Sequence, residues 1–307
     1  MEVNWGTLPQ QLVYGIQLGA VYALIALGYT MVYGILRLIN FAHGEVYMVG
    51  AYLAYYSSMV WFSHTAMNPY ALLLSMLLIS MVGCAVLGVT IERLAYRPLR
   101  NAPRISVLIT AIGVSLFIQY TGRFVFQTSP KPAIDESINV LTRTVSLFGI
   151  SVQVSRLAIL GVTLVLMVLL WQFIARTRTG RAMRAVSHDF NTAALMGINV
   201  NAIVTMTFII GSALAGAGGM MNATFVAPTI DTFYGLLPGV KAFVAAVLGG
   251  IGNIPGAVVG GLIIGVVENI VVWTGYGGYK DAVAFLILIA ILLFRPSGLF
   301  GSPVDKV

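Results

Sequence analysis

Along most of this chain, stretches of about twenty apolar residues follow one another with only short polar gaps between them. That length is what a helix rising 1.5 Å per residue needs to cross a hydrocarbon core roughly 30 Å thick. The qualifying segments lie near 8–30, 45–62, 70–91, 104–126, 155–175, 202–222, 255–274 and 280–295. They predict an all-α fold, a polytopic transmembrane helical bundle of about eight spans, with a range of about 8–10 because two short pieces are unresolved. Composition closes the alternative: with 59% hydrophobic and 9% charged residues, the chain lacks the charged surface of a soluble globule. Residues 1–307 read as a single transmembrane domain.

The first apolar run has no basic segment before it, since Glu2 is the only charge ahead of Arg37, and it reads as a retained helix and not a cleaved signal. Cys84 is the only cysteine and sits in an apolar run, so one chain builds neither a disulfide nor a thiolate metal site.

The net charge of +7 would suggest nucleic acid in a soluble protein; here the basic residues crowd short loops, where they set orientation. Arg93, Arg97, Arg100 and Arg104 form one cluster, and Arg176, Arg178, Arg181 and Arg184 form another. Two crossings separate them, which puts both on the cytoplasmic side. The intervening loop 127–154 has its cations spread out and offset by Asp135 and Glu136, and is expected outside. Following the crossings onward puts 223–237 outside and the tail "RPSGLFGSPVDKV" inside, provided that 238–250 spans.

Two segments interrupt the clean apolar helices, and broken backbone is tolerated at membrane depth only where it faces protein or water. Near 36–45, Asn40, His43, Gly44 and Glu45 break the hydrophobicity; near 249–256, Gly249, Gly250, Gly252, Asn253 and Pro255 cannot all continue one helix. These breaks are expected to be re-entrant or discontinuous and mark the candidate translocation path. One falls in each half of the chain, as in transporters built from repeats, although identity between the halves is too low to establish a repeat.

Duller readings compete at each place. His43 and Glu45 have no third ligand at metal-site spacing, and Asn40 and Glu45 are expected to cap the helix that starts there. "LGGIGNIPG" lacks the lysine ending of a phosphate loop, and the small residues at Gly256, Gly260, Gly261 and Gly265 suit close helix packing. Lys241 and Glu268 are charges within apolar segments, expected to mark a polar cavity or an interhelical pair. Such groups are too few for a proton relay.

The segments "YALIALGYTMVYGILRLINFAHGEVYMVGAY", "IERLAYRPLR", "GRAMRAVSHDFNTAALMGI" and "KAFVAAVLGGIGNIPGAVVGGLI" resemble the membrane-spanning permease of bacterial ABC importers for branched-chain amino acids. The likeness recurs in order along nearly the whole chain. It implies a multi-pass subunit of the bacterial inner (plasma) membrane that is not an enzyme and holds no cofactor of its own, ATP being bound and hydrolysed by partner subunits. The implied partners are a second homologous permease, two cytoplasmic ATPase subunits, a periplasmic amino-acid-binding protein and the lipid bilayer, with no nucleic acid.

The resemblance further implies that residues 176–200 form a cytoplasmic coupling loop that docks on an ATPase. Arg181, Arg184, Asp189, Ala193, Ala194, Gly197 and Ile198 are its candidate residues. "AALMGI" is similar to the family's coupling motif, but Asn191 and Thr192 stand where an acidic residue often precedes the alanines. The implied cargo is leucine, isoleucine and valine. Other neutral amino acids, urea or short amides are alternatives, as are an ion-coupled carrier or channel and a membrane-embedded enzyme.

Overall fold

The computed structural model describes residues 5–64, 68–100, 102–132, 143–147, 150–227 and 229–301. Asp135, Glu136 and the tail from Ser302 onward lie outside them. The helices are α1 (Leu8–Leu36), α2 (His43–His64), α3 (Pro69–Ile91), α4 (Arg104–Val125), α5 (Val154–Arg176), α6 (Arg178–His188), α7 (Phe190–Leu195), α8 (Val200–Phe225), α9 (Leu236–Gly249), α10 (Ile254–Val271) and α11 (Lys280–Phe294). Antiparallel strands β1 (Lys131–Pro132) and β4 (Thr229–Ile230) pair, as do β2 (Thr144–Leu147) and β3 (Ile150–Gln153).

Among the described residues, six helical runs are long and apolar enough to cross a membrane. They are compatible with the expected eight segments for two reasons. The run Ile254–Phe294 contains both α10 and α11, divided at a π-turn where Gly275 has φ +89. The remaining segment is α2, which is 22 residues long but opens on His43 and Glu45.

Both arginine clusters meet at one end of the bundle: Arg93 and Arg97 line the same surface hollow as Thr179 and Asn199. The opposite end gathers the start of α1, the turn after α10 and the β2–β3 hairpin. There Trp273 Nε1 donates to Thr7 Oγ1 at 3.1 Å, the Trp5 and Trp273 rings meet edge to face, and Gln10 Nε2 donates to the Ser151 carbonyl.

Residues 37–42 form no helix after α1 ends at the arginine-rich end, where Arg37 adopts a left-handed φ of 53. The chain turns back into the bundle, and α2 begins with His43 against Tyr29, ring centroids 4.8 Å apart. Tyr29 lies about 12 Å up α1 from Arg37 at 1.5 Å per residue, so α2 starts well inside the layer. The second half of the chain does the reverse. After α8 ends at the far end, residues 229–235 dip inward, and α9, only 14 residues long, descends to the arginine-rich end.

The two halves are therefore related by inversion. Span, break, a helix that starts inside the layer, span and span describe α1–α4, and the same words describe α8–α11 run in the opposite direction, with α9 shorter than α2 at 14 residues against 22. Finer marks recur. Asn68 caps α3 by accepting from Tyr70 N and Asn253 caps α10 by accepting from Gly256 N, each with proline in the first turn, and each span ends in a π-turn, Glu92–Tyr96 or Val272–Tyr276. The principal packing matches: α1 lies on α10 and α3 on α8, while α2 lies on α8 and α9 on α1. α1 and α8 are buried along most of their length; α4, α5 and α11 present long apolar faces outward, as lipid-facing helices do.

Candidate functional site

The two helices that start inside the layer, α2 and α9, meet at their N-termini, and glycine is what lets them. A Cβ at Gly235 would stand 2.0 Å from the Gly44 carbonyl oxygen, and one at Gly44 would stand 2.6 Å from the Gly235 oxygen and 3.2 Å from Gly239 Cα. No side chain fits between these backbones. Tyr234, one residue before the crossing, stacks on Tyr47 at 5.4 Å, and Asn222 Nδ2 donates to the hydroxyls of both. This aromatic and amide layer over the crossing was not foreseen. The signal lay in "IDTFYGLLPG", residues 230–239, whose polar and turn residues read as a surface loop.

Around the start of α2, the expected cap is absent. Asn40 and Glu45 do not bond to the first amides of α2; Asn40 Oδ1 accepts from the Tyr96 hydroxyl at 2.9 Å, and Glu45 Oε1 accepts from Gln119 Nε2 at 2.6 Å and Ser115 Oγ at 3.2 Å. The backbone closes the turn unaided, with Glu45 N donating to Ala42 O, which frees both side chains to tie α2 to α3 and α4. Glu45 Oε2 and His43 Nε2 are buried without a hydrogen-bond partner. Among the described residues no group of three metal-ligating side chains gathers here.

Deeper in the second half, Lys241 and Glu268, expected to mark a polar cavity or an interhelical pair, meet each other. Lys241 Nζ stands 2.7 Å from Glu268 Oε1 and 2.5 Å from Asp281 Oδ1, and the Tyr22 hydroxyl donates to Glu268 Oε2 at 2.8 Å. The cluster joins α9, α10, α11 and α1. At the arginine-rich end a second buried carboxylate, Glu92, takes Arg100 and the Thr205 hydroxyl. Arg100 thus belongs to a structural pair as well as to a charged cluster.

The break at 249–256 differs from the break at 37–42 in depth. Gly250 and Gly252 take φ +99 and +95 in a tight turn between α9 and α10, and the tail closes over it, Leu299 N donating to Leu248 O and Phe300 N to Gly249 O. Asn253 caps α10 and also donates to the Phe300 carbonyl. Gly252 faces Gly34, near the end of α1, whereas His43 faces Gly28. The two candidate groups are about 9 Å apart along α1 at 1.5 Å per residue: Asn40, His43, Gly44 and Glu45 lie inside the layer, and Gly249, Gly250, Gly252, Asn253 and Pro255 lie at its arginine-rich end.

Residues 176–200 form a helix–turn–helix at that end. Thr177 caps α6, its hydroxyl accepting from Gly180 N at 2.9 Å. Gly180, Met183 and Val186 turn inward, and Arg181 and Arg184 turn outward, Arg184 also bonding the Ile174 carbonyl at the end of α5. Asp189 Oδ1 caps α7 by accepting from Thr192 N at 2.8 Å. That bond holds the Asp189 carboxyl below its ordinary range. The cap's contribution is therefore complete above the ordinary carboxylate pKa and disappears as pH falls through the depressed value.

α7 ends where Gly197, at φ +82, lets Ile198 N reach back to Ala193 O. Ala193 is buried and Ala194 exposed, while Leu195 and Met196 stand 87% and 78% exposed beyond them. An apolar tip this bare on a charged, ordered projection is suited to filling a hollow in another protein. Between α6, the end of α1 and the 250–254 turn lies a cavity of about 660 Å³.

Two helices that start and meet inside a bundle of lipid-facing spans, with a projecting helix pair at one end, suit a membrane permease. The sequence profile of the branched-chain amino acid transport system / permease component family matches residues 11–292, and the chain belongs to that family. It is 44% identical over 301 residues to the high-affinity branched-chain amino acid transport system permease protein BraD of Pseudomonas aeruginosa, covering 97% of each chain. It is 41% identical over 304 residues to the corresponding LivH protein of Escherichia coli K12, again covering 97% of each. The ribose import permease protein RbsC of Escherichia coli K12 is 31% identical over 134 residues, 40% of each chain. The protein is thus a multi-pass transport component of the inner membrane and not an enzyme.

Proposed function

We propose that this chain is one of two homologous permeases forming the path of an ATP-driven importer for leucine, isoleucine and valine. The carrying observation is identity above 40% over nearly the full length to two permeases named for that cargo. The arginine-rich end is cytoplasmic by the positive-inside rule, and the α6–α7 projection docks there on an ATPase through Leu195 and Met196. A binding protein delivers the amino acid to the opposite end, around the β2–β3 hairpin. The chain itself does no chemistry, and ATP acts on the partner subunits.

Motion of α6–α7 passes to α5 through the Arg184 bond and to α8 through the short link 196–199; α8 packs on α2, and α5 packs on α1, which in turn packs on α9. The path runs beside that crossing, where Asn40, His43 and Glu45 supply polar groups among apolar walls. A weakly binding path suffices, because an external binding protein can supply affinity.

The test has two arms. Cells lacking the gene lose uptake of labelled leucine, isoleucine and valine and regain it with the gene restored; unchanged uptake in the deletion strain defeats the reading. Leu195→Asp, at an exposed site that leaves the fold alone, lowers uptake tenfold or more with membrane abundance unchanged. Full uptake by that variant removes α7 as the docking element.

A further inference from the structure

We propose that the cavity beneath α1 is a second amino-acid site, open to the cytoplasm, at which accumulated cargo binds by its carboxylate and slows the transport cycle. The proposal rests on the reading of the chain as a branched-chain amino acid importer permease, and it adds a regulatory site that transport itself does not require.

The charge of the cavity is one-sided. Among the described residues, Arg37 and Arg184 line it and no carboxylate does. The Arg37 side chain has no hydrogen-bond or ion-pair partner among the described residues, and Arg184 commits only Nη1, to the Ile174 carbonyl. Two arginines with unspent donors, lining one hollow from different elements, can receive a small anion, and a carboxylate matches their fork geometry.

A second observation is independent of charge. Thr30, on the cavity wall, is 1% exposed, and its Oγ1 has no hydrogen-bond partner. A buried hydroxyl left unpaired is costly, and a turn of the side chain toward the cavity would let a polar ligand group satisfy it. The rest of the lining suits the other end of the same ligand: Met31, Ile35, Met183 and Ile251 form apolar walls for a branched aliphatic side chain. The volume lies within the range of about 300–1,000 Å³ typical of small-molecule sites.

Position supplies the consequence. Arg37 belongs to the end of α1, the most buried span, whereas Arg184 belongs to α6, the element proposed to move with the ATPase. A carboxylate bridging them ties α6 to α1 in the arrangement seen here. A ligand with higher affinity for one arrangement shifts the population toward it, so internal amino acid holds back the movement of α6.

The test uses the assembled importer, permease pair with both ATPases, in liposomes with the ATPases facing outward and liganded binding protein inside. ATP hydrolysis is measured while leucine is added on the ATPase side, each variant being normalised to its own activity without added leucine. Leucine is expected to inhibit. Arg37→Gln and Thr30→Val are each expected to raise the half-inhibitory concentration about tenfold, and leucinamide, which lacks the carboxylate, is expected to inhibit at least tenfold more weakly. The proposal is overturned by absence of inhibition, by equal potency of leucinamide, or by unaltered inhibition in both variants. It is also overturned if the variants differ from wild type only with anionic lipid present, because the arginines then hold a headgroup. Hydrolysis that binding protein and leucine fail to stimulate in the wild type would instead defeat the importer reading itself.

Discussion

The two helices that start inside the bundle, α2 and α9, begin at the same crossing and carry a charged residue within their first two turns, yet they are anchored by opposite means. Lys241 of α9 finds two carboxylates and, through Glu268, a tyrosine hydroxyl, joining four helices. Glu45 of α2 finds only the neutral Gln119 and Ser115 on α4, with one oxygen left unpartnered. Opposite charges brought together in a poorly solvated bundle interact strongly and tolerate little displacement. Neutral hydrogen bonds are weaker and more easily exchanged for bonds to another donor. Inversion thus repeats the backbone but not the chemistry, and the difference makes α9 the fixed side of the crossing and α2 the adaptable one.

The largest effect that could break this contrast is loss of the ion cluster. Among the described residues, Lys241→Met removes the cation that touches both Glu268 and Asp281 and leaves the almost fully buried Glu268 only Lys280, half-exposed and 4.0 Å away. Breaking a buried pair from one side costs about 3–5 kcal/mol. The purified permease is expected to lose thermal stability by an amount of that order in detergent, and the double variant Lys241→Met, Glu268→Gln should recover much of it. A Lys241→Met protein as stable as wild type would mean that α9 is not held by charge.

Which features the sequence disclosed follows from how local they are. Each span is a matter of length and apolarity within one segment, so all eight were legible before the structure. The 249–256 break was legible for the same reason, since its glycines and Pro255 are adjacent. Its depth was not, because only the backbone bonds to Leu299 and Phe300 place it at the end of the bundle. The dip at 229–235 is not legible in the sequence, because Asp231, Thr232 and Tyr234 look like any surface loop, and only the stacking of Tyr234 on Tyr47 places them inside. Inversion of the halves was invisible to residue identity because it is written in backbone events: an asparagine cap, a proline in the first turn, a closing π-turn. Lys241 and Glu268 advertised a need for partners, but 27 residues of separation gave no means of pairing them.

A smaller effect is expected on the α2 side. Glu45→Gln keeps an oxygen to accept from Gln119 and Ser115 and needs no counter-charge, so its stability cost should be about 1 kcal/mol. Its effect on transport should exceed its effect on stability, with uptake changing several-fold at unchanged membrane abundance. A loss of thermal stability comparable to that of Lys241→Met would erase the distinction between the two anchors.

The smallest effect sharpens the same comparison along the flank of α2. Ser80 Oγ donates to the Gly50 carbonyl at 2.9 Å, and Cys84 Sγ donates to the Val46 carbonyl at 3.2 Å, so α3 holds α2 by single neutral bonds to main-chain oxygens. Gly50 lies within α2, so its carbonyl has a helical amide partner as well. Ser80→Ala therefore strands no acceptor and forfeits only the net value of one bond, about 1 kcal/mol or less. Uptake should stay near wild type, and the melting temperature should fall by less than in Glu45→Gln. If Ser80→Ala instead lowered stability as far as Lys241→Met does, α2 would be as rigidly fixed as α9, and the crossing would have no adaptable side through which an amino acid could pass.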